Sequence, residues 1–130
     1  MALKSIEKYW KVSAQEAFGA ANDLFKTGRY TYAMFFLHLA AEKMIKALYV
    51  NRNAAEPPFG HNLQNLAVKI DGITVSATTL GLLAQITTFN TAARYDDHKK
   101  SFQKLCTKDF AKNYLKQGKE LMAWLASQFK

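Results

Sequence analysis

The sequence predicts an all-α fold, a five-helix up-and-down bundle built as a single domain over residues 1–130. Three observations predict it. Apolar residues recur at alternating three- and four-residue intervals over long stretches, which places them on one stripe of a helix. The stretches are separated by short Gly- and Pro-containing breaks. No alternating apolar–polar run is long enough to build a sheet. With 130 residues, 49% of them apolar and 2 prolines, the chain is sized for one domain and can build a core without staples or metals.

The first helix is expected from about Leu3 to Lys26, with Trp10, Ala14, Ala17, Ala21 and Leu24 on one stripe. Gly28 follows, where a left-handed residue ends a helix without a Cβ penalty. The second runs from about Tyr30 to Asn51. Ala33, Leu37, Ala40, Met44 and Leu48 form one face, and Phe36, Ala41, Ile45 and Tyr49 widen it. A stripe that broad belongs to a central helix touched from several sides. Asn51-Arg52-Asn53 and Pro57-Pro58-Phe59-Gly60 are read as a break.

A short third helix fits Asn62 to Ile70, with Leu63, Leu66, Ala67 and Ile70 inward and Asp71-Gly72 as its end. The Thr-, Val- and Ser-rich stretch after it resembles a strand but is too short and isolated to make a sheet. The fourth helix is expected from about Ala77 to Ala93, with Leu80, Leu83, Ile86 or Thr87, and Asn90 sharing a face. Asp96 to Lys104 is polar and basic and reads as a loop. The fifth helix starts near Thr107, an N-cap with Asp109 in the first turn, and carries Phe110, Tyr114, Leu121, Trp124, Leu125 and Phe129. Met34, Phe35 and Phe36 point three ways from one helix, so apolar surface is left over for a partner, most simply a second copy in a homodimer.

The net charge of +8 favours an acidic partner such as nucleic acid or nucleotide, although charge also serves solubility. The single cysteine, Cys106, excludes an intrachain disulfide and fits a reducing, cytoplasmic compartment. It is read as structural or simply exposed. No apolar leader opens the chain and no apolar run reaches membrane-spanning length, so neither export nor a membrane is expected. There is no phosphate-binding glycine loop, no Cys/His zinc pattern and no Gly-x-Ser-x-Gly elbow, so no cofactor and no metal are expected.

Three groups of residues carry possible chemistry. Arg94 and His98 are four apart and would share a face if the fourth helix reached them. Arginine presents a donor fork to phosphate and histidine exchanges a proton near neutral pH, a pair able to cleave RNA without metal. The bland alternative is Arg94 paired with Asp96 or Asp97 beside an exposed His98. Lys104, Lys108, Lys112 and Lys116 recur every four residues, drifting by only about 40° per step on a helix. Such a row follows a phosphate backbone or forms a solvated face. His38, Glu42 and Lys46 cross an otherwise apolar helix, where ionisable groups must be paired or face a cleft. The bland alternative is a Glu42–Lys46 pair at the helix edge. His61, after the Pro-Pro-Phe-Gly loop, is expected to cap that loop or pin it to the bundle.

Several of these stretches together resemble the HEPN domain (higher eukaryotes and prokaryotes nucleotide-binding). They are Gly28-Arg29-Tyr30, His38-Leu39-Ala40-Ala41-Glu42-Lys43, Lys46-Ala47-Leu48, Pro57-Pro58 with His61-Asn62-Leu63, Ala93-Arg94-Tyr95, and Trp124-Leu125. Their order and spacing cover nearly the whole chain. The resemblance implies a helical bundle, usually a homodimer. For a small stand-alone member it implies pairing with a minimal nucleotidyltransferase in a toxin–antitoxin-like system. Nuclease members carry arginine, then four to six residues, then histidine. Here three residues separate Arg94 from His98, and Tyr95 and Asp96 follow the arginine. The resemblance therefore implies a member that binds nucleotide or RNA phosphate, and Arg94, Tyr95, His98 and the lysine row are the residues expected to do so. Two alternatives stand beside it: a metal-independent ribonuclease with Arg94 and His98 as catalytic residues, and a non-catalytic protein-interaction module.

Overall fold

The computed structural model describes residues 2–92 and 96–130, with side chains for all of these except 96–99. The described residues form six helices: α1 (Leu3–Lys26), α2 (Tyr30–Asn53), α3 (Leu63–Ala67), α4 (Ala77–Ala92), α5 (Asp96–Leu105) and α6 (Lys108–Ser127). No strand occurs among them, and the Thr/Val/Ser stretch before α4 is coil. The all-α bundle is as expected, with one more helix than the five predicted.

α1 and α2 form a tight antiparallel hairpin. Gly28 sits at φ 78°. Its N–H bonds to the Phe25 carbonyl, while the Arg29 N–H reaches back to that of Leu24. These two bonds are the paired C-terminal closure that a left-handed glycine permits. Ala14, Ala17 and Ala21 on α1 and Ala33, Ala40 and Ala41 on α2 are all buried in the one core. Small side chains let two helix axes approach closely.

α2 is the centre of the bundle and touches all five other helices. Its broad stripe is buried as read: Ala33, Leu37, Ala40, Met44 and Leu48 are all core residues. Gly118 is where α6 crosses it. A Cβ there would stand 2.5 Å from Leu37 Cδ1, so any larger residue would force the buried Leu37 side chain to move.

α2 runs to Asn53, past the predicted break at Asn51-Arg52-Asn53. The side chains of these three residues explain the extension. Asn51 Oδ1 accepts from the Lys130 N–H, Arg52 Nε donates to the Gln128 carbonyl, and Asn53 bridges the Lys69 carbonyl and the Asp71 N–H. The polar triplet thus docks both the chain end and the α3 turn onto α2. The helix stops one residue later, at Ala54 in the left-handed region with φ 52°.

α3 is shorter than expected, but Leu63, Leu66, Ala67 and Ile70 are all inward. Its N-cap is Asn62, whose side chain accepts from the Asn65 N–H. On α4 the buried set is Leu83, Ile86, Phe89 and Asn90, so Phe89 joins the face read from sequence while Leu80 stays half-buried.

The stretch read as a loop is α5. Its polar composition hid a helix that needs only Phe102 as an apolar anchor. Phe102, Phe89, Phe110 and Tyr114 pack ring against ring at centroid separations of 4.8–6.1 Å, which fastens α5 to α4 and α6. α6 opens as predicted, with the Thr107 hydroxyl accepting from the Phe110 N–H and Asp109 in the first turn. No described helix is long and apolar enough to cross a membrane.

Candidate functional site

The ionisable row on α2 becomes a buried network. Glu42 is only 5% exposed, and a carboxylate so placed must be compensated by opposite charge and hydrogen bonds. Lys46 Nζ donates to its Oε2 at 3.1 Å, and His61 Nδ1 donates to its Oε1 at 2.8 Å. His38 Nε2 lies 3.7 Å from the same Oε1 and donates to the His61 backbone carbonyl at 3.1 Å. Lys46 also lies over the Trp10 ring of α1, 5.1 Å from its centroid.

The Glu42–Lys46 pair is therefore real but buried, where the bland reading placed it at the helix edge. His61 does pin the proline loop: its ring and its carbonyl both hold α2, while its side chain is 60% exposed. All four residues are brought together, with every charge of the row met inside the molecule. The arrangement fixes α1, α2 and the loop to one another.

The lysine row ends differently. Lys104 lies one residue before the end of α5 and Lys108 opens α6, with Cys106 and Thr107 between the two helices. The four residues are thus not one helical stripe, and the row on a single helix is Lys108, Lys112 and Lys116. All three are exposed, and none has a carboxylate partner among the described residues.

Lys112 and Lys116 are joined by Lys119, which the four-residue rule passed over although a three-residue step also stays on one face. These three rim a groove of about 270 Å³ between α6 and α1, floored by Phe18, Phe25 and Leu115 with Asn22 beside them. The α1 residues were invisible to sequence spacing, because only tertiary pairing brings them opposite α6. The other flank of α6 faces α4 across a hollow of about 470 Å³ that includes Gln85, Tyr114, Glu120 and Trp124 and no basic residue. One helix therefore divides a basic flank from a neutral-to-acidic one.

Arg94 and Tyr95 lie outside the described residues, as does the side chain of His98, whose backbone belongs to α5. α4 as described ends at Ala92. Cys106 is buried rather than exposed. Burial pushes its thiol up from 9.0 to about 11, partly opposed by a hydrogen bond with the Thr31 side chain. A thiol so protonated is a poor nucleophile. No group of His, Cys, Asp and Glu suited to hold a metal ion occurs among the described residues.

Comparison with known proteins bears on these features. The HEPN domain model matches residues 7–128. The crystal structure of TT1696 from Thermus thermophilus is similar in fold, with a TM-score of 0.82 and 18% sequence identity over 95% of this chain and 98% of that one. No curated protein matches the sequence.

Proposed function

The chain belongs to the HEPN family, and from that premise we propose that it binds nucleotide or RNA phosphate, with Arg94, Tyr95, Lys104 and the α6 lysines as contacts. Its setting would be a homodimer, paired with a minimal nucleotidyltransferase in a toxin–antitoxin-like system in the cytoplasm. The observation that carries the reading is the exposed row of Lys108, Lys112 and Lys116, which meets no carboxylate among the described residues. Lysines that meet no carboxylate among the described residues, on a chain of net charge +8, release counterions from a nucleic acid when they neutralise its phosphates, and that release drives association. Arg94 adds a fork of donors matched to a phosphate.

Titrating labelled RNA and ATP onto the purified protein at low salt tests this. Binding weakened by Arg94→Ala, with the RNA left intact in EDTA, is the expected result. RNA degraded in EDTA by the native chain but not by Arg94→Ala would replace binding with the ribonuclease reading, in which Arg94 and His98 are catalytic. Failure to bind either ligand would leave a protein-interaction module.

A further inference from the structure

The groove between α1 and α6 has a composition that phosphate binding alone does not require. Its rim is basic, with Lys112, Lys116 and Lys119, while its floor is aromatic and aliphatic, with half-buried Phe18 and Phe25 beside buried Leu115. Lys112 to Lys119 spans about 10 Å of helix axis, room for more than one phosphate. None of the acids of the two helices lines the groove: Glu7 is held by Asn51, and Asp109 lies a turn before Lys112 at the start of α6. Glu16 and Asp23 stand about 140–160° around α1 from Phe18, and Glu120 lines the hollow against α4.

The geometry points to this groove as a binding site for single-stranded RNA, with an unpaired base laid against Phe18 and Phe25 and the flanking phosphates held by Lys112, Lys116 and Lys119. This rests on the phosphate-binding reading above and narrows it. Aromatic rings beside a basic track accept any unpaired base by its π face, whereas a duplex keeps those faces stacked within itself. The volume, about 270 Å³, is below the roughly 300–1,000 Å³ of pockets that enclose a drug-sized ligand. It suits one base on a strand that continues across the surface. An acidic peptide would satisfy the lysines, but an amphipathic helix needs a longer apolar floor than three side chains give.

The test measures binding of a short single-stranded oligonucleotide, its duplex and inorganic polyphosphate at low salt. Phe18→Leu with Phe25→Leu keeps apolar volume and removes both rings. It should weaken the single strand by about tenfold and leave polyphosphate binding unchanged. Lys112→Gln, Lys116→Gln and Lys119→Gln together should weaken both. Photocrosslinking of 5-iodouridine RNA to the unaltered protein needs no variant, and should label the peptide that contains Phe18 and Phe25. Single-strand affinity indifferent to the rings in a folded variant, with the crosslink elsewhere, overturns the groove while leaving phosphate binding at Arg94 standing. Equal affinity for the duplex, or an acidic polypeptide bound with the same dependence on the rings, also overturns it. Absence of all RNA and polyphosphate binding removes the broader reading as well.

Discussion

Two helices of this bundle carry charged side chains at four-residue spacing, and the two rows meet different ends. On α2, His38, Glu42 and Lys46 are at most 7% exposed, and they close on one another and on His61. On α6, Lys108, Lys112 and Lys116 stand in solvent without a carboxylate partner among the described residues. The spacing is the same, so the spacing does not decide the role. α2 is surrounded by the other five helices, and a charge there must be answered internally. α6 lies at the periphery, and its lysines remain available to something outside. The first row holds the fold together, and the second is the one that reads as a binding surface.

The sharpest way to break this contrast is Lys46→Met. It would leave the Glu42 carboxylate buried without its cation and cost about 3–5 kcal/mol in urea unfolding. Glu42→Leu combined with Lys46→Met should recover most of that loss, since neither charge is then stranded. A single variant as stable as the native chain would place the α2 row on the same footing as the α6 row.

Within α6 itself, Gly118→Ala on the core side would drive a methyl group into Leu37, which is fully buried. Overpacking of this kind costs about 1–3 kcal/mol, offset by up to about 1 kcal/mol of helix propensity. Lys119→Ala, one residue away on the groove side, should change the unfolding midpoint by no more than about 0.5 kcal/mol equivalent. Equal effects at the two positions would contradict the division of α6 into a packing flank and a binding flank.

His61→Ala removes one hydrogen bond to the Glu42 carboxylate. Because the ring is 60% exposed, the cost should be only about 1 kcal/mol. The loop at Pro57–Gly60 should then be nicked faster by protease, and an unchanged nicking rate would deny His61 its pinning role. The effect at Cys106 shows only at alkaline pH. In the unfolded chain the thiol ionises near 9.0, but in the folded chain only near 11. Between those values the folded state holds a proton that the unfolded state has lost, so stability falls as pH rises through this window. The fall should be shallower in Cys106→Ala.

How far the sequence could be read follows the same division between local and tertiary causes. The end of α1 at Gly28 and the start of α6 at Thr107 were legible because each is set by bonds within five residues. The extension of α2 through Asn51–Asn53 was not, because Arg52 and Asn51 find partners at Gln128 and Lys130, at the far end of the chain. α5 was misread because a helix with one strong apolar anchor has the composition of a loop. At the candidate sites, the α2 row announced itself as ionisable residues on an apolar helix, yet nothing in the spacing showed that His61 would complete it. Phe18 and Phe25 were hidden for the same reason: the groove exists only once α1 lies beside α6.

The salt dependence of RNA binding tests the central claim most directly. Each lysine that releases counterions from a single strand contributes about 0.7 to the slope of log affinity against log salt. Replacing Lys108, Lys112 and Lys116 with glutamine should therefore flatten that slope by about 2 while the unfolding curve stays in place. A slope unchanged by the triple substitution would contradict the account, leaving the α6 row a solvated face and nothing more.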